Sequence, residues 1–113
     1  MELIRGTTPT IEMIVKNDDI DLHDITQVWI YISQQKKVKV DKIYDDVEFD
    51  YENRIMRVKL AQADTLDLKA GEALIQVRVL LEDGTALATI ASDVSIAEVY
   101  KEGEITEEVS GGE

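Results

Sequence analysis

Short runs in which apolar and polar residues alternate cover most of the chain, and they predict strands. Residues 10–15 are rich in β-branched side chains, and residues 37–41 alternate with period two, as a half-buried strand does. Residues 27–33 contain five consecutive apolar or aromatic side chains, which favours a central strand covered on both faces. Residues 73–81 form the longest strand candidate. No segment shows the long 3.6-residue period of an extended helix.

A hairpin is predicted between residues 46 and 60, because apolar and charged positions match across one register. With Glu52-Asn53 as a two-residue turn, apolar residues meet apolar residues and acids meet bases. The predicted pairs are Phe49 with Met56, Val47 with Val58, Glu48 with Arg57, and Asp46 with Lys59. A slip of one residue would separate both sets of pairs. Asn53 is expected to adopt the positive φ that such a turn requires.

A second hairpin is predicted at Asp83-Gly84, since Asp-Gly between two apolar runs is a strong signal for a two-residue loop. In that register Leu80 lies directly opposite Leu87. The face away from the core then carries Leu74, Leu80 and Leu87, and the face toward it carries Ile75, Val77, Val79 and Leu81.

These elements predict an all-β fold, an immunoglobulin-like antiparallel β-sandwich of about seven strands, with a small barrel as the alternative. Residues 17–24 hold four Asp and one Asn and are expected to form a connection with one helical turn at 22–24. A further helical turn is expected in residues 61–66. The sandwich domain should cover residues 1–105, followed by an acidic, disordered tail at 106–113.

Composition narrows the possible partners. The chain has 24 acidic and 12 basic residues, a net charge of −12, which disfavours binding to nucleic acid or to an anionic membrane. An acidic mimic of DNA is a further alternative, which the dispersal of the charge disfavours. The absence of cysteine excludes disulfides and thiolate chemistry. No apolar run has the length of a membrane span, and residues 1–25 lack a signal-peptide pattern.

The single histidine, His23, lies in the acidic connection and raises the question of a metal site. A calcium loop that begins at Asn17 would need Gly at its sixth position and Glu at its twelfth, where Leu22 and Val28 stand. No second histidine is present to build a transition-metal site. We therefore expect a solvated acidic turn and no bound metal.

A stripe of carboxylates spaced about 7 Å apart along one strand is the other candidate for chemistry. Its members are Asp46, Glu48, Asp50 and Glu52. Acid–base hydrolysis by two of them would require one carboxyl with a raised pKa. Arg57 and Lys59, on the opposite strand, should instead lower the pKa values. The serines fall in no nucleophile pattern, so we expect no enzyme and no cofactor, with a carboxylate hydrolase as the alternative.

Five apolar side chains are candidates for an interface. Trp29 and Tyr31 share the side of their strand opposite Val28, Ile30 and Ile32, and the three leucines Leu74, Leu80 and Leu87 lie on the outer face of the Asp-Gly hairpin. Contiguous exposed apolar area usually marks an interaction site. The alternative is that these residues are buried within the domain itself. Trp29 and Tyr31 could also line a groove that binds a carbohydrate or another cell-surface ligand.

Four segments, in order, resemble a known family. They are residues 5–10 (RGTTPT), 62–66 (QADTL), 75–78 (IQVR, after Gly71) and 82–89 (EDGTALAT). The set, spread over residues 4–105, resembles small proteins of phages and prophages of Gram-positive bacteria and, more loosely, the N-terminal domain of phage baseplate upper proteins. The resemblance implies an immunoglobulin-like sandwich, a virion or tail-associated structural role and no enzymatic activity. The expected partners are copies of the chain itself or other phage structural proteins, in the virion or the host cytoplasm.

Overall fold

Nine strands form the described part of the protein. The computed structural model describes residues 1–89 and 91–106. The strands are β1 (Glu2–Ile4), β2 (Thr10–Ile14), β3 (Ile25–Gln34), β4 (Lys37–Ile43), β5 (Val47–Asp50), β6 (Ile55–Lys59), β7 (Gly71–Leu81), β8 (Ala86–Ala88) and β9 (Ser92–Ala97). The helical elements are one short α-helix, α1 (Gln62–Leu66), and 3-10 turns at Leu22–Asp24 and Tyr44–Asp46. Both predicted helical turns, in 22–24 and 61–66, are present.

The strands form two stacked sheets. The large sheet has the order β1-β9-β7-β3-β4, with β8 paired to the second half of β7, and the small sheet has the order β2-β6-β5. The neighbouring strands are antiparallel except for β1 and β9, which run parallel. This arrangement confirms the predicted immunoglobulin-like β-sandwich, with nine strands in place of about seven. The three-residue strand β1 was not predicted, because its partner β9 is distant in sequence.

The core lies between the sheets and is built by alternation along the strands. On β3, Val28, Ile30 and Ile32 are buried, and the residues between them face away from the core. The small sheet contributes Ile11 and Val58 from its own inner face. The continuous apolar run of residues 28–32 therefore has one face in the core and the other on the outside of the large sheet. The strand is central, as predicted, but the prediction that both of its faces are covered is wrong, since Trp29 is 51% exposed.

The first predicted hairpin has the expected register. Val47 pairs with Val58, Glu48 with Arg57 and Phe49 with Met56. The loop is wider than predicted, because the ladder closes at Asp50 and Ile55. Arg54, and not Asn53, has the positive φ, at 59°. The predicted pair of Asp46 with Lys59 is wrong, since Asp46 lies in the 3-10 turn, where its carboxylate accepts the Ile43 N–H at 3.0 Å.

The second predicted hairpin is wrong by one residue. The Leu81 N–H donates to the Thr85 carbonyl at 2.8 Å, so the loop has three residues, and Gly84 takes a φ of 90°. Leu87 consequently lies opposite Val79 and not opposite Leu80. Because a one-residue slip moves every side chain to the other face, Leu87 points to the core side of the sheet and does not belong to the outer face.

The chain beyond β9 is irregular as far as Thr106. The predicted acidic tail, apart from Thr106, lies outside the described residues. Among the residues that the structure describes, no helix has both the length and the apolar character to cross a membrane.

Candidate functional site

The outer face of the large sheet presents an apolar surface. Trp29 of β3 lies between Ile43 of β4 and Arg78 of β7, and Leu80 lies one row further along β7, beside Ala86 of β8. We call these five residues the outer patch. Trp29 is 51% exposed and Ile43 is 47% exposed, although both are large apolar side chains. The patch exists because residues directly opposite each other on paired strands point to the same side of a sheet.

A shallow cleft of about 280 Å³ opens within the outer patch. Trp29, Arg78, Leu80 and Ala86 line it, and Gln27 forms part of its rim. The guanidinium carbon of Arg78 lies 5.1 Å from the centre of the Trp29 ring, a cation–π arrangement that holds the indole in place. The cleft therefore combines an anchored aromatic ring with an aliphatic floor.

The predicted interface residues do not all lie together. Trp29 and Leu80 meet in the outer patch. Tyr31 is half-buried and donates its hydroxyl hydrogen to the Gln76 side chain. Leu74 is exposed on the same face, but six residues from Leu80 along β7, about 20 Å away at the usual strand rise. Leu87 is on the inner side, as described above.

Ile43 was missed at the sequence level. The predicted strand ended at Asp41, two residues before β4 ends. The alternation of residues 37–41 continues through Lys42 to Ile43, so extending the same pattern would have placed Ile43 on the outer face opposite Trp29.

The acidic connection holds His23 through two contacts. The His23 ring stacks on Tyr51, with ring centroids 4.0 Å apart, and its Nδ1 lies 3.1 Å from an Asp21 carboxylate oxygen. Hydrogen bonds from the backbone N–H and the ring of His23 lower the pKa of Asp21. Within the described ranges, no three His, Asp or Glu side chains come together as a set of metal ligands.

The acidic stripe is held by hydrogen bonds and ion pairs. Asp50 accepts hydrogen bonds from the side chain and the backbone N–H of Asn53, and these, with the Arg57 guanidinium 3.4 Å away, hold the pKa of Asp50 below its ordinary value. Arg57 also pairs with Glu12 of β2 at 2.6 Å. Glu48 lies opposite Arg57 in the ladder, but the Arg57 guanidinium pairs with Glu12 and Asp50 instead.

Lowered carboxyl pKa values are found along the whole described chain. The pKa values of five carboxyls are lowered, because hydrogen bonds and nearby positive charge together outweigh the opposing effect of burial, which is the largest single effect at Asp64. The five are Asp21, Asp50, Asp64, Asp83 and Glu98. A general acid at neutral pH needs the opposite shift. These carboxylates are therefore arranged to stay ionised.

Replacing Asp50 with Asn should lower the melting temperature at neutral pH and have a smaller effect in acid. Because the folded-state pKa of Asp50 lies below its ordinary value of 3.8, the ionised carboxylate stabilises the fold above that pH. This stabilisation is lost as the pH falls through the folded-state pKa. Thermal unfolding followed by circular dichroism, from neutral pH to below 3.8, measures the difference.

Glu48→Gln is the matched control for Asp50→Asn. Glu48 lies on the same strand and makes no side-chain hydrogen bond within the described part of the chain. Its effect on the melting temperature at neutral pH should be smaller than that of Asp50→Asn. A difference for Asp50→Asn that stays constant or grows on acidification would contradict the assigned role of the Asn53 hydrogen bonds.

The two sheets define the chain as an immunoglobulin-like β-sandwich. Among solved structures it is similar to CopC from Methylosinus trichosporium OB3b, with a TM-score of 0.53 and 12% identity over 90% of this chain and 89% of that chain. At this identity the likeness shows the shared fold alone. No family model matches the sequence, and no curated protein does.

Proposed function

We propose that the protein is a non-catalytic assembly module of a phage or prophage particle, which acts through protein–protein contacts. The observation that carries this proposal is the outer patch, where a half-exposed Trp29 lies in an apolar cleft. The segments that resemble phage structural proteins indicate the kind of partner, another protein of the virion or its tail.

The composition of the outer patch supports a docking role. Trp and Arg are enriched in the residues that contribute most of the energy of protein interfaces. Trp29 and Arg78 are already fixed against each other by their cation–π contact, so a partner would order few additional rotamers. Ile43 and Leu80 extend the apolar area on either side of them.

The absence of a catalytic role is part of the proposal, and the electrostatics support it. In the described ranges, every carboxyl whose pKa departs clearly from its ordinary value has a lowered pKa, and these carboxylates take part in hydrogen bonds near the surface. The acidic stripe that could have suggested hydrolysis is engaged by Arg57 and Asn53 through its residue Asp50.

Carbohydrate binding is the second candidate, favoured by the exposure of Trp29 and the amide of Gln27 at the cleft rim. Sugars stack on open faces of aromatic rings. Arg78 covers one face of Trp29, so that face is closed to a sugar, which weighs against this second candidate. Titration of the tryptophan fluorescence with oligosaccharides of the host cell wall distinguishes the two functions. A saturable change would favour this second candidate over assembly.

Replacing Trp29 with Ala should reduce incorporation of the protein into particles roughly tenfold or more, because a central interface aromatic contributes about 2 kcal/mol or more. The measurement is quantitative mass spectrometry of phage particles purified from lysates of the bacterium that encodes the chain. Tyr100→Ala, at an exposed aromatic residue away from the outer patch, should leave incorporation unchanged. Absence of the unmodified protein from particles, or equal incorporation of the Trp29 variant, would overturn the proposal.

A further inference from the structure

The terminal strands of the two sheets differ in how they are protected from pairing with other chains. β4 carries Lys37, Lys39 and Lys42, and β5 carries Glu48 and Asp50, while β1 has only three residues. Charges and short length are the common devices that keep an edge from adding a strand. The fourth terminal strand, β2, has five residues and one charged side chain, Glu12, which is paired with Arg57 of the neighbouring strand.

The backbone of β2 has its free hydrogen-bonding groups on one side. Val15 donates its N–H to the Arg54 carbonyl at 2.9 Å, and the Pro9 carbonyl accepts the Leu60 N–H at 2.9 Å. Odd-numbered residues therefore bond to β6, and the even-numbered residues of β2 direct their N–H and C=O groups to the open edge. Those residues are Thr10, Glu12 and Ile14. In the part of the chain that the structure describes, β2 pairs with β6 alone.

An apolar groove of about 310 Å³ runs beside this open edge. Met13, Ile14 and Val15 form one wall, and Val79 and Leu87 lie on the other, where β7 and β8 continue beyond the reach of the small sheet. Ile14 is 62% exposed. The groove arises because the short strands of the small sheet cover only part of the large sheet.

The charge on β2 is balanced locally, although the whole chain has a net charge of −12. Glu12 is the only charged residue of the strand, and its carboxylate is paired with Arg57 at 2.6 Å. Lys16 follows two residues after the strand ends. A second copy can therefore approach this edge without placing uncompensated carboxylates together.

We propose that β2 pairs antiparallel with β2 of a second copy, so that the two small sheets join into one six-stranded sheet. The pairing specifies the homotypic contact within the assembly role proposed above, on which it rests. Its register places Glu12 of each copy opposite Ile14 of the other, and Met13 opposite Met13. The inward-pointing side chains near the two-fold axis, Met13 and Val15 of both copies, then cover the apolar groove.

This register is favoured by the sequence of β2 itself. Even-numbered residues carry the free backbone groups, so an antiparallel two-fold pair must match even positions with even positions. Placing Glu12 opposite Glu12 would set like charges face to face, which is destabilising. The proposed register avoids this and puts Lys16 of one copy diagonally across from Glu12 of the other, which gives charge complementarity. It also pairs Ile11 with Val15.

The test is the oligomeric state of the full chain, measured by analytical ultracentrifugation. The unmodified protein should have twice the 12.7 kDa mass of one copy at high concentration. Ile14→Glu places a carboxylate opposite Glu12 and should raise the dimer dissociation constant about tenfold or more. Ile14→Lys places an ammonium group there and should leave the dimer as tight or tighter.

The matched control is Val38→Glu, because Val38 is 57% exposed on the Lys-bearing edge strand β4. This variant should dimerise like the unmodified protein, and thermal unfolding verifies that each variant folds. A protein that stays monomeric up to millimolar concentration would overturn the pairing and leave the groove to a strand of a different protein. Equal weakening by Ile14→Glu and Ile14→Lys would overturn the register, and equal effects of Ile14→Glu and Val38→Glu would overturn the choice of edge.

Comparing the dimer measurement with incorporation into particles tests the β2 pairing and the assembly role independently. A dimer that is sensitive to Ile14→Glu, in a protein that is absent from particles, would overturn the assembly role and uphold the pairing. A monomer that enters particles would overturn the pairing alone. Trp29→Ala, which changes the opposite face of the sandwich, should not change the dimer.

Discussion

Replacing Ile30 with Ala should lower the free energy of unfolding by about 2–5 kcal/mol, the range for truncating a buried isoleucine to alanine. Ile30 is 2% exposed and lies on β3, which has β7 on one side and β4 on the other. Val28 and Ile32 flank it on the same buried face, and Val77 lies opposite it on β7. With neighbours fixed on every side, the cavity left by the substitution cannot collapse fully, so both transfer and cavity terms contribute.

Urea unfolding of the purified protein measures this effect, and Ile43→Ala is the matched control. Ile43 is the same residue type at the end of β4, and because it faces solvent in the outer patch its truncation should cost less than about 1 kcal/mol. A shift in the midpoint with an unchanged slope would assign the effect to native-state stability. Equal losses for Ile30→Ala and Ile43→Ala would contradict the assignment of inner and outer faces on the large sheet.

The second large effect is expected at Gln34, a buried polar side chain at the end of β3. Its amide nitrogen donates to the Lys69 carbonyl at 2.8 Å, and its amide oxygen accepts the Lys69 N–H at 2.9 Å. This pair ties the end of β3 to the turn that precedes β7. Gln34→Ala leaves both backbone groups of Lys69 without their partner and should lower the free energy of unfolding by about 1–3 kcal/mol.

Gln27→Ala is the control for this substitution, since Gln27 is exposed on the outer face of the same strand. Its effect should stay within about 0.5 kcal/mol, the usual range for a surface position. Hydrogen exchange of the Lys69 amide provides a second readout, because loss of its acceptor should speed its exchange. Unchanged exchange and stability in Gln34→Ala would show that water replaces the side chain without loss.

The two hairpins show how far local patterns determine register. In the first, Phe49 and Met56 on one face and Glu48 and Arg57 on the other agree on a single alignment, so the predicted register was correct although the loop is longer than predicted. In the second, Asp83-Gly84 fits a two-residue or a three-residue loop, since Gly84 can take a positive φ in either. The small residues Ala86 and Ala88 have no strong preference for either face, so nothing in the second strand corrected the error.

Two of the segments that resemble phage proteins contact each other in the fold. Thr65 of α1 is fully buried, and its hydroxyl donates to the Thr7 carbonyl at 2.8 Å. The Arg5 guanidinium donates to the carbonyls of Leu66 and Leu68, at 2.9 and 2.7 Å, and pairs with Glu98. These contacts join positions about sixty and ninety residues apart, so these residues serve the structure at the end of the sandwich.

The outer patch shows how far alternation along the strands can locate a functional surface. Alternation placed Trp29 and Leu80 on the outer face, which the structure confirms, and it misplaced Leu87 through the register of a single turn. The distance between Leu74 and the patch depends on strand position, which alternation does not encode.

By itself, the sequence determined the fold class, most strand positions and the register of one hairpin, because these follow from side-chain periods of two residues and from neighbouring segments. Only the tertiary structure decided the parallel pairing of β1 with β9, the inner position of Leu87, and the open edge of β2 beside an apolar groove. Those features depend on which distant strands meet and how far one sheet extends past the other. Local alternation carries no information about either.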